Sequence, residues 1–172
     1  MDDVMQDTAK FQIYRARDAK SIEETDHMRM DFTPIQIEGL TAMLNPKLSR
    51  GDETKVLFSI PGFSLIYAWF KKNYPLPLHS HDADCLYYVV SGSLKLGTET
   101  VEARDGFFVP ANVPYTYTPG PEGVEILEFR HATHFDFNVR AKSEAFWKRA
   151  VETVVANSDD WKTARRPALN TD

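Results

Sequence analysis

Several things are scarce in this chain of 172 residues, and each scarcity excludes something. A single cysteine, Cys85, cannot form an intramolecular disulfide, so the fold does not depend on oxidation and a reducing cytoplasm is the expected location. No apolar run approaches the roughly 20 residues that a membrane-spanning helix needs. Basic residues are the minority, 20 against 25 acidic ones, for a formal charge of −5, and they form no stripe suited to phosphates. Lys162, Arg165 and Arg166 read as a solvated tail. The opening MDDVMQDTAK lacks the basic-then-apolar order of a secretion signal. The expectation is a cytoplasmic protein with neither nucleic acid nor membrane as partner.

What is present suits one domain. Hydrophobic residues make up 42% of the chain and charged residues 26%, ordinary values for a globular protein. Residues 1–9 are polar and aperiodic and read as a disordered leader. From Phe11, the alternation of Phe11, Ile13 and then Ala16 predicts a short edge strand. Ser21 followed by Glu24 is a possible helix cap, but few apolar residues follow, so most of that stretch reads as loop. Pro34 and Gly39 favour an edge strand or turn over a long helix, and the stretch from Asn45 is a charged surface loop.

Between residues 55 and 130, runs rich in β-branched and aromatic residues alternate with turn signals. These are Pro61-Gly62, Gly92, Gly97, Asp105-Gly106, a Pro-Asn turn at 110–112 and a Pro-Gly loop at 119–120. The spacing predicts an all-β fold, a single antiparallel barrel or sandwich. Near the C-terminus the period changes. Phe146, Trp147, Ala150, Val151, Val154 and Val155 recur at helical spacing, which predicts one amphipathic helix over 141–157 that packs on the barrel or forms a dimer interface. A polar tail follows over 158–172.

The chemistry concentrates in PLPLHSHDADCLYYVVSGSLKLG, residues 75–97. A strand places residues i and i+2 on one face, so His79 and His81 point the same way and can share a metal ion or a polar ligand. Cys85, Tyr87 and Val89 share a face, and Tyr115 and Tyr117 another, so several phenols can shape a pocket. Asp82 and Asp84 read as caps of the turn between His81 and Cys85. His131 and His134 follow a strand and could reach the same pocket.

With these residues in place, roughly residues 60–130 resemble the cupin superfamily of small antiparallel β-barrels. His79-Ser80-His81, Cys85 and Gly92 keep the register of that family's first motif, with Cys85 standing at its glutamate and Asn73 at its leading glycine. Pro110-Ala111-Asn112-Val113-Pro114-Tyr115 parallels the second motif, with Asn112 for a glycine and Tyr115 for the last histidine. Asn tolerates the left-handed backbone that glycine adopts there.

The resemblance implies a jelly-roll-like cupin barrel over 10–140 and a metal set of His79, His81, Cys85 and Tyr115. The metal would be a divalent transition ion, Fe(II) first. Tyr115 is alternatively an acid or base at the metal. Cys85 is alternatively a small core residue, or cross-linked to a tyrosine as in some thiol dioxygenases of the family. The function so implied is a small-molecule metalloenzyme, a dioxygenase-type oxidoreductase or a lyase, and a homodimer. The alternatives are a metal-free binding module for a small polar ligand, and a barrel that serves mainly in assembly.

Overall fold

The computed structural model describes residues 10–168, so the leader expected over 1–9 lies outside the described residues. In chain order the strands and helices are β1 (Lys20–Ser21), β2 (Met28–Arg29), α1 (Pro34–Met43), β3 (Asp52–Ile60), β4 (Phe63–Phe70), β5 (His79–Ser80) and β6 (Cys85–Leu96). There follow β7 (Glu99–Glu102), β8 (Gly106–Val109), β9 (Thr118–Arg130), β10 (Phe135–Asp136), β11 (Asn138–Val139) and α2 (Glu144–Thr163).

The main sheet runs β1-β3-β4-β9-β6-β7, with β8 also on β6, and its pairings are antiparallel. Two short pairs complete the fold: β11 antiparallel to β5, and β10 parallel to β2. A bridge between His79 and Tyr115 extends the β11–β5 layer. The inner faces meet in one core that includes Ala68, Tyr87, Val89, Tyr117, Val124 and Ile126. This is the expected all-β jelly-roll-like architecture with a C-terminal helix. Gly97 turns β6 into β7 as expected, whereas Gly92, at φ +71°, lies inside β6 at a shift of register. It makes a bulge in a 12-residue strand rather than a turn between two shorter ones.

Three stretches differ from the sequence reading. The strand expected from Phe11 is absent: Ala16–Asp18 forms one 3-10 turn, and Phe11 is 92% exposed with no strand beside it to pair or bury it. Residues 34–43 form α1 rather than an edge strand. Pro34 occupies the first helical turn, where its missing N–H costs nothing, and Thr33 precedes it as the cap with its N–H donating to Gln36 Oε1 at 2.9 Å. Gly39 is a docking site, because a Cβ there would overlap the indole of Trp147 on α2.

The third difference is the end of α2, which continues past Asn157 and Ser158 to Thr163. Tertiary partners hold the extra turns: Ser158 Oγ accepts from Ser49 N at 2.8 Å, and buried Trp161 donates from Nε1 to Lys72 O at 2.9 Å. Arg166 is likewise not a free tail residue. Its guanidinium meets Glu125 at 3.0 Å and Glu53 at 2.8 Å. Among the described residues no helix is long and apolar enough to cross a membrane.

The α1–α2 contact separates two opposing effects. Gly39→Ala gains about 1 kcal/mol of helix propensity, but overpacking against Trp147 costs about 1–3 kcal/mol. Chemical denaturation is expected to show net destabilisation of about 1 kcal/mol, and a stabilised variant would refute this packing account.

Candidate active site

The segment before β5 is set by its prolines. Pro75 and Pro77 hold the chain extended, so His79 and His81 both turn into the barrel, 3% and 7% exposed. Each imidazole is fixed through Nδ1. His79 Nδ1 donates to Pro77 O at 2.7 Å, and His81 Nδ1 donates to Asp136 O. A carbonyl only accepts, so in both rings the proton lies on Nδ1 and the Nε2 lone pair is left over. The rings lie 5.1 Å apart, and Phe137 packs on His79 at 4.9 Å and on His81 at 5.9 Å.

Tyr115 is locked to His79 by paired backbone hydrogen bonds of 2.8 and 3.1 Å, and the two rings lie 4.4 Å apart. The turn that delivers it is made by Asn112 at φ +64°, the left-handed backbone expected of that residue, with Asn112 N donating to His81 O at 2.6 Å. The Tyr115 hydroxyl is hydrogen-bonded to the Tyr87 hydroxyl, and Arg130 Nη2 donates to Tyr87 at 3.3 Å.

Arg130 and Glu128, both on β9, escaped the sequence reading. Arg130 is 1% exposed, pairs through Nη1 with Glu128 Oε2 at 2.6 Å, and lies 4.0 Å over the ring of Phe135. The signal was present in EILEFR: with Val124 and Ile126 directed inward, strand alternation directs Glu128 and Arg130 inward too. Glu128 and Phe135 border a cavity of about 580 Å³ together with His79, His81, Tyr115, Tyr117 and Phe137. Apolar side chains from β2 and α1, among them Met28, Ile37 and Leu40, form the opposite wall.

Burial sets the protonation states. Desolvation, with the Arg130 charge acting in the same direction, lowers His79 to about 4 and His81 to about 2, so both are neutral at pH 7. Burial pushes the Cys85 thiol up to about 12 and raises Tyr87, Tyr115 and Tyr117 above the ordinary phenol range. Desolvation is the largest single influence on Arg130 and lowers it, but Glu128 together with Tyr87, Cys85 and Tyr115 outweighs it, so the guanidinium stays charged.

The other sequence candidates fall elsewhere. Asp84 does not cap its own turn but accepts from Ala111 N at 2.8 Å, while Asp82 ion-pairs with Arg29 and accepts from Asp136 N at 2.8 Å. His131 is exposed, and His134 lies against His27, with rings 5.7 Å apart; neither borders the cavity. Cys85 does not border it either and lies in the core cluster.

The donor set does not fit a resident divalent ion. Two neutral Nε2 atoms are offered, but among the described residues no three His, Cys, Asp or Glu side chains converge in a way that could hold a metal. Of the remaining donors, the Cys85 thiol and the Tyr115 phenol are held protonated by burial, and the Glu128 carboxylate is already paired with the Arg130 guanidinium.

The lowered histidines make acid sensitivity predictable. The unfolded chain takes up protons near 6.5, whereas the folded chain does so only near 4 and 2, so stability is complete above about 7 and is lost as pH falls. The slope is about 1.4 kcal/mol per pH unit for each histidine. Urea unfolding at pH 7 and pH 5 is expected to show a larger loss for the wild type than for His79→Asn/His81→Asn. Equal losses would refute the buried neutral pair.

No protein-family model and no curated protein sequence matches the chain. Among solved structures it is similar to the polyketide cyclase RemF from Streptomyces resistomycificus, at 19% identity over 62% of this chain and 85% of that one, with a TM-score of 0.51. An RmlC-like cupin from Shewanella frigidimarina aligns at 21% identity over 55% of this chain and 85% of that one, with a TM-score of 0.41. Salicylate 1,2-dioxygenase from Pseudoaminobacter salicylatoxidans aligns at 13% identity over 63% of this chain and 35% of that one, with a TM-score of 0.47. At these identities the likeness is one of fold.

Proposed function

We propose, from the premise that this chain has the cupin fold, that its barrel binds an apolar, ring-bearing small molecule and acts on the oxygen function of that molecule without a resident metal. The observation that carries this reading is the convergence of a few polar ends, His79, His81 and Tyr115, on an otherwise largely apolar cavity of about 580 Å³. Sites of this kind gain affinity from apolar walls and orientation from a few placed polar atoms.

The chemistry on offer is proton exchange. Tyr115, kept as a phenol and linked through Tyr87 to Arg130, is a hydrogen-bond donor whose developing negative charge the guanidinium would stabilise. His79 and His81, neutral with Nδ1–H committed, accept through Nε2. Phe135 and Phe137 keep the two rings in place. A second reading, Fe(II) or another divalent ion on His79 and His81 in an oxygenase, is favoured by the same free Nε2 atoms.

The experiment is calorimetric titration at pH 7 with 1-naphthol, a ring carrying one hydroxyl that is neutral at that pH. Loss of a single hydrogen bond costs about 1.4 kcal/mol, a tenfold change in affinity. Wild type is expected to bind, Tyr115→Phe about tenfold more weakly, and His79→Ala/His81→Ala more weakly still. Unchanged affinity in both variants would overturn the reading.

A further inference from the structure

We infer that Glu128 is the atom set to which the cavity's ligand donates a hydrogen bond, and that the ligand is an uncharged hydroxy ring, of phenol or enol type, rather than an acid anion. The inference deepens the proposed function and rests on it.

The charges around the cavity carry the argument. Arg130 would be the natural partner of an anionic ligand, but both of its terminal nitrogens are committed, Nη1 to Glu128 Oε2 at 2.6 Å and Nη2 to the Tyr87 hydroxyl at 3.3 Å, its plane lies 4.0 Å over Phe135, and its one unpartnered N–H, at Nε, is buried. Arg130 itself does not border the cavity, whereas Glu128 does. The guanidinium that does lie on the cavity wall, Arg50, is spent on Asp52 at 2.9 and 3.1 Å and on Glu23 at 2.8 Å. The two imidazoles are neutral and donate their only N–H to backbone carbonyls. Among the described residues, no uncommitted positive group borders the cavity.

Acceptors, by contrast, are left over. Glu128 Oε1 has no hydrogen-bond partner among the described residues, and the Nε2 atoms of His79 and His81 are free as well. An anion entering here would meet a carboxylate with no free cation to compensate, which is unfavourable where water is excluded. A neutral O–H meets an acceptor whose own charge is balanced from behind by Arg130. The Tyr117 hydroxyl, also on the cavity wall and without a partner among the described residues, is a donor that feels the Glu128 charge. A hydroxyl oxygen both donates and accepts, so it satisfies Glu128 and Tyr117 together. A carboxylate or phosphate oxygen cannot.

The test is a spectrophotometric pH titration of 4-nitro-1-naphthol, whose neutral and ionised forms absorb differently, bound to the intact protein. In the wild type the bound ring is expected to stay neutral to higher pH, with its midpoint at least about one pH unit above that of the free compound. Glu128→Gln leaves Arg130 uncompensated, and its midpoint is expected about one unit below that of the free compound. Glu128→Gln/Arg130→Met removes both charges and should return the midpoint to near the free value.

A wild-type midpoint at or below the free value overturns the inference without any variant, so the test survives a Glu128→Gln chain that fails to fold. A Glu128→Gln midpoint equal to the wild type also overturns it. Binding with an unmoved midpoint removes this inference alone. No binding by the wild type removes the proposed function and this inference with it.

Discussion

The constraint on which the site depends is the burial of one guanidinium. Removing an arginine from water costs several kcal/mol unless its charge and its N–H groups are met. Inside this barrel Arg130 is met by Glu128, by the Tyr87 hydroxyl and by the face of Phe135, with only its Nε–H left without a partner. Each of those contacts fixes something else. Tyr87 is joined to Tyr115, Tyr115 is paired through its backbone with His79, and Phe135 lies 5.4 Å from the ring of His81. The positive charge also helps to keep both imidazoles unprotonated. A barrel interior that would otherwise be loosely specified is thereby held in one protonation pattern.

The second requirement is a cover for the apolar side of the cavity, and the N-terminal region provides it. β2 pairs with β10 beside Phe135, and Arg29 is tied to Asp82, whose other carboxylate oxygen accepts from the Asp136 backbone. Asp136 returns the contact by accepting from Asp82 N at 2.7 Å. α1, docked on α2 through Gly39 and Trp147, brings Ile37 and Leu40 to the same wall. The helices therefore do more than decorate the barrel, because they close the space in which its polar groups work.

Much of this was legible in the sequence, for definite physical reasons. Strand alternation and turn residues announced the sheet, and the i, i+2 spacing of His79 and His81 announced their shared orientation. Asn112 was recognisable as a left-handed residue, and the inward tyrosines followed from the same alternation. The misreadings arose where local preference met tertiary packing. Pro34 and Gly39 read as helix breakers in isolation, yet one sits where a helix tolerates proline and the other makes room for Trp147. Residues from 158 on read as a polar tail, yet Ser49 and Trp161 carry α2 onward to Thr163. Glu128 and Arg130 are hidden in the sequence because charged residues are expected outside a barrel, an expectation that fails when two of them compensate each other. Motif register alone offers Cys85 and Tyr115 as metal donors beside the two histidines, whereas the fold surrounds those histidines with an ion pair and a chain of phenols.

The central claim is that this interior works through neutral imidazoles, phenols and a compensated ion pair. Anaerobic incubation with Fe(II), followed by desalting and elemental analysis of the wild type, tests it most directly. Substoichiometric iron that does not change in His79→Ala/His81→Ala is the predicted result. One tightly held ion per chain, lost in that variant, would contradict the account.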